Sequence, residues 1–198
     1  HDYYTNLAKV ERNIFKRYYF YNEAGKLLKY ESILKKAAGV FAISPSDKEH
    51  FKLLSKKVQY LPAFHPFNSV SVKEGNEDFF LYHGNLSVGE NNEAAQFLIK
   101  EVFNDIPYKL IIAGSKPSAE LQNAVSESKN VELIQNCSPE KIYELIANAK
   151  CNILPTFQST GIKLKLLAAL FLGKFCLVNT PMVVNTGLES LCEIADTA

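Results

Sequence analysis

From Phe79 to Val178 short apolar runs alternate with stretches that carry helical spacing or helix-start signals, and nothing else in the chain constrains its fold as much. The strand-like runs are Phe79–His83, Tyr108–Ala113, Asn130–Ile134, Cys151–Leu154 and Phe175–Val178. Between them the sequence predicts helices over Asn91–Phe103, from about Pro117 to Ser128, from Ser138-Pro139-Glu140 onward, and over Ile162–Leu172. Pro139 suits a first helical position, and Gly173 suits a helix end. Strands separated by helices cannot pair through tight turns, so they pair in parallel. The expected fold class is α/β, a doubly wound, Rossmann-like parallel sheet with helices on both faces. Such sheets bind ligands beyond the C-terminal ends of their strands, which makes the strand-to-helix turns the places to search.

The segment before Phe79 has a different character. Residues 1–36 contain no proline and read as helix, with Leu7, Val10, Ile14 and Tyr18 at helical spacing and Gly25 as the candidate break. Residues 38–44 form a short apolar run, Ser46-Asp47-Lys48-Glu49 is a capping box that predicts a helix start, and Val58–Pro62 reads as a second strand. Pro62 to Asp78, with Pro66, Gly75 and several serines, is linker-like. Charge divides at the same place. Residues 1–66 hold 12 Lys/Arg against 6 Asp/Glu, whereas residues 67–198 hold 10 against 15. The expected organisation is a helical and partial α/β part over 1–66, a linker over 67–78, and a sheet domain over 79–198.

This balance argues against a uniformly basic nucleic-acid binder. Arg12, Lys16, Arg17, Tyr18 and Tyr19 offer a basic aromatic face that could touch anionic lipid or, as a plain alternative, a helix packed on another domain with its charged side in water. No apolar run approaches the ~20 residues needed to span a bilayer, and no signal-peptide pattern opens the chain. Cys137, Cys151, Cys176 and Cys192 show no Cys-x-x-Cys and no His at ligand spacing, so zinc is not expected, and they read as buried thiols in a reducing, cytoplasmic compartment. The one methionine is Met182 and the chain opens at His1, so it is expected to be a piece of a longer protein, truncated within its C-terminal domain.

The first turn, His83-Gly84-Asn85-Leu86-Ser87-Val88-Gly89-Glu90-Asn91, nearly spells a phosphate loop, but Glu90 and Asn91 stand where Lys and Ser/Thr are required. Nucleotide hydrolysis by that route is excluded. Gly84 either serves the turn alone or lets a ligand approach the backbone, and His83 beside it is a candidate neighbour of that ligand. No Gly-x-Gly-x-x-Gly fingerprint is present, so no dinucleotide cofactor is expected. No strand ends in a carboxylate, so no magnesium site is expected there either. His50 reads as a surface residue.

The strongest signal is Gln158-Ser159-Thr160-Gly161-Ile162-Lys163-Leu164-Lys165-Leu166-Leu167. Two lysines open a helix that is apolar on nearly every side, at the end where the helix dipole disfavours cations. With donors from Ser159, Thr160 and the Gly161 backbone they describe an anion pocket, most simply one for phosphate. Two residues along a helix is ~200°, so one lysine is expected to face the ligand and the other to reach solvent. The alternative is that both reach solvent and Thr160 merely caps the helix.

Gly161-Ile162-Lys163-Leu164-Lys165-Leu166-Leu167, followed by Gly173-Lys174-Phe175-Cys176-Leu177-Val178, resembles the nucleotide-sugar domain of GT-B glycosyltransferases of the group 1, family 4-like kind. Leu81-Tyr82-His83-Gly84-Asn85 is similar to that family's first strand and glycine turn; Ala147 to Leu154 and Thr186-Gly187-Leu188-Glu189 fit its spacing. The resemblance covers roughly residues 78–198, and Glu31 to Val58 resembles the end of the preceding acceptor-side domain.

It implies a nucleotide-sugar donor whose diphosphate is held without a metal, with Lys165 on the phosphates and Gly84, Asn85, Ser159, Thr160 and Gly161 around it. It also implies a glycan or lipid-linked acceptor, possible peripheral membrane contact, and a catalytic base outside this chain. The family's Glu-x7-Glu pair is missing, since no glutamate lies between Glu144 and Glu189. A second reading therefore stands beside the transferase: a non-catalytic α/β module that binds a phosphorylated metabolite or a protein partner.

Overall fold

The computed structural model describes residues 1–72, 77–158 and 162–197, apart from the side chain of Val10. Among the described residues it divides into two compact units, one formed by His1–Ala63 with Ile162 and a larger one formed by residues 64–158 and those from Lys163 on.

In the smaller unit α1 (Asp2–Val10) and α2 (Ile14–Tyr30) are followed by a 3-10 turn over Glu31–Lys36. The helical segment breaks at residues 11–13 and not at Gly25, which lies inside α2 with open space where a side chain would be. The reason is a cap: Asn13 Oδ1 accepts the amide hydrogens of Phe15 and Lys16 and starts a new helix. Next, β1 (Val40–Ala42), α3 (Pro45–Lys52) and β2 (Val58–Tyr60) make a small parallel βαβ unit with Val40 opposite Val58. The cap of α3 is Ser44, two residues before the expected box. Its buried Oγ accepts from Asp47 N, and Pro45 follows at a first-turn position that needs no amide hydrogen.

The larger unit contains β3 (Phe79–Asn85), α4 (Gly89–Phe97) with a π turn over Leu98–Val102, β4 (Lys109–Ser115), α5 (Ala119–Ser126), β5 (Val131–Gln135) and α6 (Pro139–Asn148). It continues through β6 (Cys151–Leu154), α7 (Leu164–Leu172), β7 (Cys176–Val178), the short α8 (Thr180–Val183) and β8 (Glu193–Ile194). Among the described residues these strands form one six-stranded, wholly parallel sheet in the order β5-β4-β3-β6-β7-β8. The expected doubly wound α/β class is what the chain adopts. The sixth strand was not expected; only two residues long and exposed, it has no apolar run to announce it.

Alternation along β3 and β4 sends side chains to two cores. On one face Tyr82, Leu110 and Ile112 pack with Leu98, Phe103 and Leu121. On the other, Phe79, Leu81, Ile111 and Ala113 pack with Leu145, Ile146 and Ala149 of α6. Helix α7 reaches both, through Leu166 and Ala169 on one side and Ala168 on the other, which is why its sequence is apolar almost all round. Residues ahead of β3 also join this unit. Phe67 stacks on Phe171 at 5.6 Å and meets Tyr143 edge-on, and Ser71 N donates to Phe171 O at 2.8 Å.

At the C-terminal ends of the central strands, β3 and β4 come unusually close. A Cβ on Gly114 would lie 2.0 Å from Gly84 O and 3.0 Å from Leu86 Cγ. No side chain fits there, so Gly114 lets the β3 turn lie directly over β4.

Candidate functional site

The chain winds outward in one direction from β3 to β4 and β5, and in the other from β3 to β6, β7 and β8. The strand order therefore reverses between β3 and β6, and the crevice beyond their C-terminal ends is the place where doubly wound sheets take ligands. Two segments enter it: the turn after β3, leading into α4, and the segment after β6, leading into α7. Neither helix start has a side-chain cap, its N-cap residues being Val88 and Lys163. Uncapped helix starts present amide hydrogens and the positive end of the helix dipole.

Both lysines turn into this crevice. Helix α7 starts at Leu164, so Lys163 is an extended N-cap residue and the helical angle that would separate it from Lys165 does not apply. Lys163 Nζ lies 3.4 Å from Glu90 Oε1 and donates to Gln158 O at 2.9 Å. Lys165 Nζ donates to Asn91 Oδ1 at 2.8 Å and to Tyr82 OH at 3.3 Å, and sits 5.0 Å from the centre of the Tyr82 ring. The expectation that one lysine reaches solvent is thus corrected: the pair converges on the adjacent residues Glu90 and Asn91. Side chains of Lys163 and Glu90 are only 14% and 13% exposed. Thr156 Oγ1, just after β6, donates to the same Glu90 oxygen.

The electrostatics follow from burial. Burial pulls the Lys165 ammonium down to about 8, with Glu90 opposing that shift and Lys163 adding to it. Burial, and then Glu90, push the Tyr82 phenol well above its usual range, so it stays neutral. Its hydroxyl donates to Asn91 O at 3.1 Å. Asn91 Nδ2 in turn donates to Asn85 O at 2.9 Å. A Cβ on Gly84 would press on the Asn91 amide at 3.3 Å, so the bare glycine leaves room for the group that orients Lys165.

A groove of about 280 Å³ opens on the α6 side of the same strand ends, lined by His83, Gly84, Asn85, Cys137, Tyr143 and others. His83 is buried there, and its Nε2 has no hydrogen-bond partner among the described residues. Burial and the Lys165 charge draw it down to about 3, so the ring is neutral at physiological pH. A buried imidazole nitrogen without a partner, at the rim of a groove, is a group to which a ligand can bond.

Of the residues singled out from sequence, Gly84, Asn85 and Lys165 meet at this crevice. Asn85 Oδ1 is engaged within its own turn, accepting from Ser87 N and Oγ at 3.1 and 2.8 Å. Ser159, Thr160 and Gly161 lie outside the described residues. Sequence reasoning did not assign Glu90, Asn91, Tyr82 and Thr156 to the site. The signal for the first two was present, since they stand where a phosphate loop has its Lys and Ser/Thr. Tyr82 and Thr156 carried none, being a buried strand residue and a threonine after a strand.

No family model matches the chain, and no curated protein matches it either. Among solved structures it is similar to TarM, at 13% identity and a TM-score of 0.57 over 78% of this chain and 32% of that one. It is also similar to the GtfA/B complex, at 11% identity and a TM-score of 0.61 over 85% of this chain and 36% of that one. A point variant of S. aureus TarM, in complex with fondaparinux, α-GlcNAc-glycerol and UDP, gives 13% identity and a TM-score of 0.55 over 78% and 32%. TarM and GtfA/B are GT-B glycosyltransferases, and at these identities the likeness is one of fold. The chain spans about a third of the length of the chains it matches.

Proposed function

We propose that the larger unit binds the diphosphate of a nucleotide-sugar, and that the chain is the donor-side part of a glycosyltransferase serving polysaccharide biosynthesis. One observation carries this reading: two partly buried ammonium groups converge at the sheet's switch point, between two uncapped helix starts. In a fold shared with glycosyltransferases, this is where a leaving nucleoside diphosphate would gather negative charge, and Lys165 would offset it. Gly84 gives the phosphates access to the backbone, and Asn85 shapes that turn. Ser159, Thr160 and the Gly161 backbone supply further donors. The lysines provide the positive charge, so the reading needs no metal or other cofactor at this site. The acceptor, a glycan or a lipid-linked sugar, and the catalytic base belong to the acceptor-side half. The 198-residue chain alone therefore binds nucleotide weakly and transfers no sugar.

Calorimetric titration with UDP, GDP, ADP and TDP tests this. UDP comes first, because it is present in the TarM variant complex. Binding in the millimolar range or tighter is expected, and Lys165→Ala should weaken it about tenfold or more, the worth of a charge-assisted hydrogen bond. No response to any nucleotide at millimolar concentration would sink the reading. Binding untouched by the substitution would remove the role of Lys165 alone. The non-catalytic module is favoured by the missing glutamate pair between Glu144 and Glu189. It predicts that inorganic pyrophosphate or a sugar phosphate binds as well as any nucleotide.

Helix α2 bears on partners. Phe15 and Tyr18 are 85% and 75% exposed beside Lys16 and Arg17, which supports a peripheral contact with an anionic membrane surface. Among the described residues no helix is long and apolar enough to cross a membrane. Co-sedimentation with vesicles containing phosphatidylglycerol is expected, and Phe15→Ser with Tyr18→Ser should abolish it. Equal sedimentation with neutral vesicles would refute the electrostatic part.

A further inference from the structure

The smaller unit gathers two histidines and a glutamate from three separate segments. His1 precedes α1, Glu31 opens the 3-10 turn and His50 lies on α3. His1 Nδ1 is 2.8 Å from Glu31 Oε1, and His50 Nε2 is 2.9 Å from Glu31 Oε2. The two rings stand 5.6 Å apart, centre to centre. The side chains are 20%, 19% and 38% exposed for His1, Glu31 and His50, so the cluster is half-sheltered and still reachable from water.

His1 has a partner on each ring nitrogen. Its other ring nitrogen, Nε2, lies 3.0 Å from Asp2 Oδ1. Both nitrogens of this ring thus face a carboxylate, Glu31 sheltered at 19% exposure and Asp2 open to water at 84%.

We propose that His1, Glu31 and His50 form a zinc site. Two imidazole nitrogens and one carboxylate oxygen are a common three-ligand zinc set with a fourth position left to water. The three ligand atoms all lie within 4.8 Å of one another, a spacing that a metal with bonds of about 2.1 Å closes by small movements. Asp2, on the far nitrogen of His1, stands where an outer carboxylate can orient a ligating histidine. Bound zinc would tie α1, the 3-10 turn and α3 together, far in sequence from the lysines of the sheet unit.

The test uses the untagged 198-residue chain, stripped with chelator and titrated with Zn²⁺ and with Co²⁺. One equivalent of zinc per chain, a tetrahedral Co²⁺ visible band and a raised melting temperature are expected. His50→Ala, whose folding is checked by circular dichroism, and Glu31→Gln should each weaken binding at least about tenfold. Absence of stoichiometric binding, or binding equal in both variants and the parent, overturns the proposal. So does a His1 ring whose NMR resonances show a doubly protonated imidazolium that added zinc does not perturb. His50→Ala keeps the proposal decidable if Glu31→Gln fails to fold.

Discussion

Gly114→Ala lowers the melting temperature of the larger unit by about 10 °C and removes the proposed nucleotide binding, whereas Gly25→Ala leaves both intact. The added carbon is the same in each case, so the difference lies in what it meets. At position 114 it would fall 2.0 Å from Gly84 O and 3.2 Å from Gly84 C, both backbone atoms that no rotamer change can move aside. The relief is to part β3 from β4, and these strands are the middle of the sheet, paired from Phe79–Lys109 to Asn85–Ser115. A backbone clash in a central strand pair belongs with the severe substitutions, costing roughly 3–5 kcal/mol. For a domain of this size that cost translates to about 10 °C. Binding goes with it, because displacing Gly84 also displaces Asn85 O, the acceptor of the Asn91 amide that holds Lys165. At position 25 the carbon meets nothing within 4 Å and replaces a glycine inside a helix. Thermal denaturation of both variants decides the matter; a Gly114→Ala protein that melts like the parent would show that the strands have slack.

The proposed nucleotide affinity should be level below pH 8 and fall above it by up to tenfold per pH unit. The cause is Lys165, whose ammonium burial draws down to about 8 from an ordinary 10.5. A polyanion binds the protonated form, so affinity tracks the fraction of Lys165 that keeps its proton. Folding stability moves in the opposite sense. Between about 8 and 10.5 the unfolded chain holds this proton while the folded chain has released it, so the lysine's cost to stability is fully present below pH 8 and relieved as pH rises. The measurement is calorimetric titration from pH 7 to 9.5 on the parent and on Lys165→Ala. Titration of the nucleotide itself is common to both proteins and cancels in the comparison. A parent profile parallel to that of the variant would mean that Lys165 is not the titrating group.

Much of this was legible in the residues. The alternation after Phe79 gave five of the six sheet strands and their parallel sense, because buried parallel strands are continuous apolar runs that periodicity reveals. Strand β8 escaped because Glu193 and Ile194 are exposed and joined to the sheet by backbone pairing alone, which leaves no side-chain pattern. Competing caps explain the errors in the smaller unit. Ser44 and Ser46 both suited a helix start, and the proline after Ser44 decided between them; Asn13 outweighed Gly25 because a side-chain acceptor ends one helix and begins another. At the site, Lys165 and Gly84 were readable as single residues. Their meeting with Asn91, Tyr82 and Thr156 was not, because these come from segments 74, 83 and 9 positions away from Lys165 and only strand order brings them together.

Glu90 also explains the near-miss with which the first turn began. A phosphate loop carries its own lysine; this turn carries a carboxylate in that place and receives two cations from across the crevice. The labour is divided between two segments: one after β6 brings the charge, and one after β3 neutralises part of it and sets its direction. A lysine at position 90 would have put three ammonium groups in a single half-dry space. The glutamate is therefore the condition under which two lysines can share it, and the two turns can change only in step.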